Sequence, residues 1–86
     1  MQLRQLEYVV AAVEEGSFTA AAARCHVAQP SLSTAVAQLE RQLGTRLFAR
    51  SDQGLALTAQ GRRFREHVDA MATAALRVSV TTTDGD

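Results

Sequence analysis

Arginine is the residue type in this chain whose placement most directly suggests a chemistry, the binding of phosphate groups. All nine basic residues are arginine, and six of them lie in residues 41–65 against Asp52 alone, which gives that segment a net charge of +5. Residues 1–40 carry −2 and residues 66–86 carry −3, so the whole chain is formally neutral. Because a guanidinium donates paired hydrogen bonds to phosphate or to a guanine edge, the segregation predicts a basic stripe that faces nucleic acid.

A second group of candidate residues, most of them small and polar, stands at the start of one predicted helix: Gln29, Pro30, Ser31, Ser33 and Thr34. The major groove of DNA, about 12 Å wide, admits a helix whose side chains reach base edges without crowding. Glutamine can pair with adenine, proline can touch a thymine methyl, and hydroxyls can serve bases or phosphates. By itself the pattern is also typical of a solvated helix face. The neighbouring basic stripe is what favours the interpretation of these residues as a DNA-reading surface.

Catalytic and metal-binding chemistry has little support in the remaining residues. Cys25 and His26 are adjacent, so on a helix they point about 100° apart, and no further base or ligand is close in sequence. One cysteine and two separated histidines cannot supply the four ligands of a structural zinc site. We expect no cofactor and no metal, and we predict that the chain is not an enzyme.

Length and composition predict one small soluble domain. The chain has 86 residues, of which 47% are hydrophobic and 21% charged. No apolar run approaches the roughly 18 residues of a membrane span, and Arg4 and Glu7 stand where a signal peptide would be apolar. The cytoplasm is therefore the expected location. Since so short a chain buries a modest share of its surface, a homodimer is expected.

Hydrophobic spacing and capping residues place three helices in residues 1–44. Gly16 is predicted to end the first helix and Ser17 to cap a short second one. The third helix is predicted over residues 30–43, since Pro30 suits a first helical turn and Gly44 a helix end. A short helix followed after three or four residues by an amphipathic one is the layout of a helix-turn-helix.

The remaining residues predict a β hairpin and a long helix. From Thr45 the apolar period becomes two, at Leu47 and Ala49 and again in residues 55–58, with residues 52–54 at the tip. The last helix is predicted over residues 59–78, followed by a flexible polar tail at residues 79–86. Its apolar residues follow a heptad seam suited to pairing with a second copy. They are Phe64, Val68, Met71, Ala75 and Val78.

The string SFTAAAARCHVAQPSLSTAVAQLERQLGTRLFAR, residues 17–50, resembles the DNA-binding domain of LysR-type transcriptional regulators. The likeness extends to LRQLEYVVAAVEEGSF before it, to LALTAQG after it and to the long helix, so it covers residues 1–78. It implies a mainly α winged helix-turn-helix over residues 1–58 and a dimerising linker helix over residues 59–78. The third helix would enter the major groove of double-stranded DNA, and the wing would lie at the adjacent minor groove.

The resemblance also implies roles for single residues. Base reading would fall to Gln29, Pro30, Ser33 and Thr34, and backbone contacts to Ser17, Thr19, Ser31 and Arg50. The basic stripe adds Arg46 beside the wing, and Gln53 stands at the wing tip. Members of the family usually continue into an effector-binding domain that this chain lacks, so a small-molecule effector is expected only through that missing domain. Whether the chain is an excised fragment or a natural truncation is open.

A different class of function is a protein-interaction module. In that alternative the 64–78 seam pairs with another partner, and the helix-turn-helix is only a scaffold. The +5 segment and the small polar start of the third helix favour DNA binding, because an interaction module needs neither.

Thr34 generates the first testable prediction. Many members of the resembled family have arginine at this position and a basic residue at Gln53, so we expect weaker nonspecific affinity here than is usual for them. Thr34→Arg should raise the affinity for a random-sequence duplex, because it adds a cation beside the phosphates. Fluorescence anisotropy checks this, and an unchanged affinity would contradict the expectation.

Overall fold

The structure, a computed structural model, describes the backbone of residues 1–52 and 54–84 and the side chains of residues 1–52 and 54–77. Its helices and strands follow in the order α1 Leu3–Glu15, α2 Phe18–Arg24, α3 Gln29–Leu43, β1 Phe48–Ser51, β2 Gly54–Leu57 and α4 Ala59–Asp84. The strands are antiparallel, with Phe48 opposite Leu57 and Ser51 opposite Gly54. The predicted fold class, a winged helix-turn-helix followed by a long helix, is confirmed.

Two local features end α1 and start α2 where the sequence predicts. Gly16 has a φ of +76°, a left-handed conformation that glycine adopts without steric cost, and its N–H donates to Ala12 O. The Ser17 hydroxyl oxygen then accepts from the N–H of Ala20 at 3.0 Å. The chain can therefore reverse direction within two residues, which places α2 against α1.

The turn between α2 and α3 is held by two backbone hydrogen bonds. The Val27 N–H donates to Ala22 O at 3.0 Å, and the His26 N–H donates to Ala23 O at 3.2 Å. This pairing is the Schellman arrangement of helix ends, with His26 in the left-handed position at φ +59°. The turn therefore fixes the angle at which α3 leaves α2.

The core lies where α1, α2 and α3 meet. Ala21 and Ala22 of α2 are buried, and small side chains at these positions allow α2 to lie close to its neighbours. On α3 the buried face consists of Leu32, Val36 and Leu39. One whole face of α3 is thus used inside the chain, and the opposite face is left exposed.

The inward face of the wing differs from the one predicted at its first strand. Phe48 is buried and Ala49 is exposed. The prediction that Leu47 and Ala49 share the inward face of the wing is therefore wrong at Ala49. The reason is that Leu47 lies before β1, where its N–H is bound by the Glu40 carboxylate rather than by a partner strand. The alternation of inward and outward side chains therefore starts only at Phe48, the first residue of β1.

The first turn of α4 is fixed to the segment before β1. The Thr58 N–H donates to Leu47 O at 2.9 Å, and the Thr58 hydroxyl donates to Arg46 O at 2.6 Å. The same hydroxyl oxygen accepts from the Gly61 N–H at 3.0 Å, which caps the helix. Residue 58 therefore joins the wing, the Arg46–Leu47 segment and α4 at one point.

The end of α4 lies further along the chain than predicted. The helix continues to Asp84, whereas we placed its end at Val78 and a flexible tail from residue 79. The serine and threonine content of residues 79–83 suggested a loop, but neither glycine nor proline interrupts the backbone between Gly61 and Gly85. At about 1.5 Å per residue, a helix of 26 residues is roughly 39 Å long. Residues 85 and 86 lie outside the described residues.

Gly61 generates a stability prediction. A Cβ built there would overlap the carbonyl oxygen of Leu47 and lie 2.9 Å from Leu57 Cδ2. Alanine normally stabilises a helix interior relative to glycine by about 1 kcal/mol. Here Gly61→Ala should instead lower the free energy of unfolding by about 1–3 kcal/mol, the usual cost of overpacking.

Urea unfolding at fixed protein concentration measures that change. Gln60→Ala is the matched control, because Gln60 is the exposed neighbour in the same turn. A Gly61→Ala variant as stable as the parent would contradict the close approach of α4 to Leu47.

Candidate nucleic-acid interface

The exposed face of α3 carries the small polar residues singled out in the sequence. Pro30, Ser31 and Thr34 are exposed, and Ser33 is half-buried. The buried leucine and valine residues on the opposite side hold α3 against α1 and α2, so the polar side points out of the body. The described structure therefore places these residues on one accessible surface at the N-terminal half of the helix.

Gln29 is held by a neighbour on the same helix. Its side-chain Nε2 donates to the Ser33 hydroxyl oxygen at 2.6 Å, and the side chain is half-buried. The hydrogen bond leaves the second amide proton and the carbonyl oxygen of Gln29 available for a bidentate contact. Because the rotamer is already restrained, less side-chain entropy would be lost when the amide binds a base edge.

A cleft joins the start of α3 to the N-terminus of α2 and to the wing. This wing-side cleft, of about 490 Å³, is lined by Ser17, Thr19, Gln29, Arg50 and Gly54, among others. Three of the four backbone-contact residues that the resemblance implies therefore lie beside one base-reading residue. Ser31, the fourth, lies on the other edge of α3.

Two aromatic rings position Arg50. Phe18 and Phe48 meet edge to face, with ring centroids 5.4 Å apart. The Arg50 guanidinium carbon lies 5.7 Å from the centroid of Phe18, within the range of a cation–π contact. The exposed guanidinium is thus held beside α2 and α3, a role for Phe18 that the sequence did not reveal.

Glu40 holds the start of the wing, a structural role that the sequence analysis missed. Its side chain is 14% exposed, and Oε2 accepts from the N–H of Leu47 at 2.8 Å and from the N–H of Phe48 at 3.3 Å. The Arg46 Nε lies 3.6 Å from the same oxygen, while 78% of the Arg46 side chain remains exposed. Glu40 thereby fixes the start of the wing to α3. A glutamate among other polar residues carries no sequence signal for such a role.

The arginines at the start of α4 are mostly engaged within the chain. Arg62 donates to Leu57 O at 3.4 Å, and Arg65 lies 3.7 Å from Asp69 and 3.8 Å from Glu14. Arg63 is exposed. The basic stripe is therefore divided, with Arg46 and Arg50 beside α3 and two of the α4 arginines holding α4 in place.

Glu14 joins α4 to the end of α2 as well. Its Oε1 lies 2.7 Å from Arg24 NH1. The hydrogen bond to Glu14 raises the pKa of the Arg24 guanidinium above its ordinary value, with Glu15 adding to the effect.

The predicted seam of α4 is only partly available to a second copy. Phe64 packs against the core of its own chain. Val68 and Met71 border an apolar groove of about 880 Å³ between α4 and α1, and Met71 is 54% exposed. Ala75 is exposed, whereas the side chain of Val78 lies outside the described residues, as does Gln53 of the wing.

The described residues contain neither a cluster of metal ligands nor a membrane-spanning helix. No three histidine, cysteine, aspartate or glutamate residues in the described part of the chain stand close enough to hold a metal ion. Across residues 1–52 and 54–84, no helix combines the length and hydropathy that crossing a bilayer requires.

The family model described as bacterial regulatory helix-turn-helix protein, lysR family, matches residues 3–62. The chain belongs to this family. The match covers α1, α2, α3, the wing and the first residues of α4, so the resemblance inferred from residues 17–50 is confirmed. Among curated relatives of this LysR-family chain is the HTH-type transcriptional regulator TfdT of Cupriavidus pinatubonensis. It is 47% identical over 64 residues, which are 74% of this chain and 28% of TfdT.

Solved structures of the same family include complexes with DNA. A crystal structure of the CbnR DBD–DNA complex has a TM-score of 0.85 and 38% identity and covers 99% of this chain and 98% of that one. The crystal structure of the BenM DBD with catB site 1 DNA has a TM-score of 0.83 and 37% identity. The match covers 100% of this chain and 98% of the BenM DBD chain. The chain spans about a quarter of the length of its curated relatives, 28% of TfdT and 24% of TfdS.

Proposed function

We propose that this LysR-family chain binds double-stranded DNA in a sequence-specific manner, as a homodimer, with α3 in the major groove. The observation that carries the proposal is the exposed small polar face of α3 next to Arg46 and Arg50. The DNA complexes of the CbnR and BenM DBDs, which are similar over nearly the whole chain, support it. A role in transcription regulation follows from the relatives, which are HTH-type transcriptional regulators.

Base reading is assigned to the first turns of α3. The Gln29 amide offers one donor and one acceptor, the pattern that matches adenine N7 and N6 in the major groove. Pro30 and Thr34 are exposed, so they can contact a thymine methyl or a base edge. Ser33 orients the Gln29 side chain through their hydrogen bond. It contributes to base reading through Gln29 or by a contact of its own hydroxyl with the neighbouring base.

Affinity is assigned to contacts with the sugar–phosphate backbone. Ser17, Thr19 and Arg50 border the wing-side cleft, and a phosphate there would meet two hydroxyls and one guanidinium. Ser31 would contact the backbone on the other edge of α3. Arg46 adds a second exposed cation at the base of the wing, and Gln53 at the wing tip would lie at the minor groove.

Dimerisation is assigned to α4. A second copy pairing through Val68, Met71, Ala75 and Val78 would cover the apolar groove, with Phe64 supporting the seam from within the core. Two bound copies would place their α3 helices in successive major grooves on one side of the duplex. Half-sites would then be separated by about 34 Å, one helical turn, or by a multiple of it.

The experiment that tests the proposal is a fluorescence-anisotropy titration of a random-sequence duplex at several salt concentrations, followed by selection of a preferred site from a random library. Binding that weakens steeply with salt shows release of counterions from phosphates. A selected site bound far more tightly than the random duplex shows base reading. If the chain self-associates but binds no duplex even at low salt, the interaction-module alternative replaces the proposal.

Gln29→Ala tests base reading. The variant should lose discrimination at one base pair of the selected half-site by about 1–3 kcal/mol, because a bidentate pair is removed. Gln42→Ala is the matched control, since Gln42 is exposed at the far end of α3. Binding to a panel of single-base site variants measures the effect. If Gln29→Ala retains every base preference of the parent, Gln29 is not a base reader.

Met71→Glu tests the dimer assignment. A carboxylate in the apolar groove should convert the dimer to a monomer, because an unpaired charge would have to be buried on association. Sedimentation velocity measures the change. Ala70→Glu is the control, because Ala70 is exposed on α4 and does not border the groove. An unchanged sedimentation coefficient for Met71→Glu would refute the assignment.

A further inference from the structure

The exposed face of α3 has two edges, and the proposed backbone contacts are concentrated on one of them. The wing with Arg46 and Arg50 lies on that edge. On the other edge α3 meets the first turns of α1 in a second cleft, of about 410 Å³. This α1-side cleft is lined by Gln2, Arg4, Tyr8, Pro30, Ser31, Thr34, Ala35 and Gln38. Candidate base-reading residues thus stand between the two clefts.

Arg4 is the one charged residue that borders the α1-side cleft in the described structure. The side chain is exposed. No ion pair or hydrogen bond of its guanidinium is found among residues 1–52 and 54–77, in contrast to Arg24, Arg46 and Arg65, which lie beside carboxylates. Five N–H donors therefore face solvent at the edge of the helix that is proposed to enter DNA.

The position of Arg4 relative to α3 is fixed by its neighbour in sequence. Gln5 is buried, and its side-chain Nε2 donates to Ala35 O in the middle of α3 at 3.5 Å. The Gln5 side-chain oxygen Oε1 accepts from the Gln2 N–H at 2.9 Å, which closes the first turn of α1. The turn that bears Arg4 is thereby tied to α3 and would move with it toward DNA.

The geometry of a DNA duplex identifies a backbone phosphate as the ligand of the α1-side cleft. A helix in the major groove, about 12 Å wide, is bounded by a phosphate backbone on each side. When the wing side of α3 lies against one strand, the α1-side cleft lies against the other. Gln38, one turn beyond Thr34 on α3, is exposed and borders the same cleft, so its amide can donate beside the guanidinium.

We infer that Arg4 binds a phosphate of the DNA strand opposite the one held by Arg50, with Gln38 as an additional donor. The inference rests on the proposed insertion of α3 into the major groove. Arg4 is then a positioning residue that fixes how far α3 enters the groove, and Arg4 and Arg50 hold α3 between the two strands. A phosphate contact carries no sequence information directly, so its loss weakens binding alike on all sequences.

The first test compares Arg4→Gln with Arg77→Gln in the full 86-residue chain. Arg77 is exposed in the second half of α4 and lies outside the basic segment of residues 41–65, so the control removes the same charge away from the proposed DNA contacts. The plot of log affinity against log salt for a random duplex should become shallower by about 0.9 for Arg4→Gln, the loss of one phosphate contact. Arg77→Gln should keep the parent's slope within error.

The second test locates the contact. Single neutral methylphosphonate linkages are introduced one at a time along each strand of the selected site. The linkage that Arg50 contacts should weaken DNA binding by the parent but not by Arg50→Gln. A second linkage, on the opposite strand, should weaken DNA binding by the parent but not by Arg4→Gln. A residue that acts only through folding would not show this selective insensitivity, and thermal unfolding of Arg4→Gln should match that of the parent.

The outcomes separate this inference from the proposed function. A parent chain without salt-dependent binding overturns the proposed function itself. A parent that binds normally, with an Arg4→Gln variant of unchanged slope and unchanged methylphosphonate pattern, overturns the inference alone. Because Arg4 also borders the apolar groove, sedimentation of Arg4→Gln is measured as well. A shift to monomer would assign Arg4 to the dimer interface and would likewise overturn the inference.

Discussion

The two-residue segment Arg46–Leu47 is the point on which the arrangement of the other elements depends. The Leu47 N–H is bound by the carboxylate of Glu40 on α3, and the Leu47 carbonyl accepts from Thr58 at the start of α4. The Arg46 carbonyl accepts from the Thr58 hydroxyl. Gly61 allows α4 to lie directly against the same backbone. One segment therefore sets where both the wing and α4 stand relative to α3.

This arrangement would link the proposed reading of DNA to the proposed pairing of two chains. α3 and the wing present the proposed DNA contacts, and α4 presents the proposed dimer seam, so their common attachment fixes the distance and angle between the two surfaces. The ion pairs of Glu14 with Arg24 and Arg65 add a second attachment between α4 and the body. In a symmetric dimer such an attachment translates directly into the spacing of the two half-sites.

Features that depend on local chemistry could be predicted from the sequence. Gly16, Ser17, Pro30 and Gly44 mark helix ends through backbone conformation and capping, and the structure agrees at each. Features that depend on distant residues could not. Glu40 acts through the N–H groups of residues seven and eight positions away, and Phe48 packs against Phe18 of α2.

The candidate site shows the same division. Pattern and resemblance identified the polar face of α3 and the arginines of the wing, because residue type and order suffice for those. They did not suggest the inferred phosphate contact of Arg4, since its place beside α3 follows from the packing of α1, which brings Arg4, Thr34 and Gln38 to one cleft. The end of α4 was also missed, because the polar residues beyond Val78 resemble a loop although the backbone stays helical to Asp84.

Contact of α3 with base edges in the major groove can be measured by methylation interference on the selected site. Methylation of guanine N7 marks the major groove, and methylation of adenine N3 marks the minor groove. If α3 lies in the major groove of both half-sites, N7 methylation should block binding in two clusters about one helical turn apart, or a multiple of it. Interference confined to adenine N3, or binding indifferent to N7 methylation throughout the site, would show that α3 does not read the major groove.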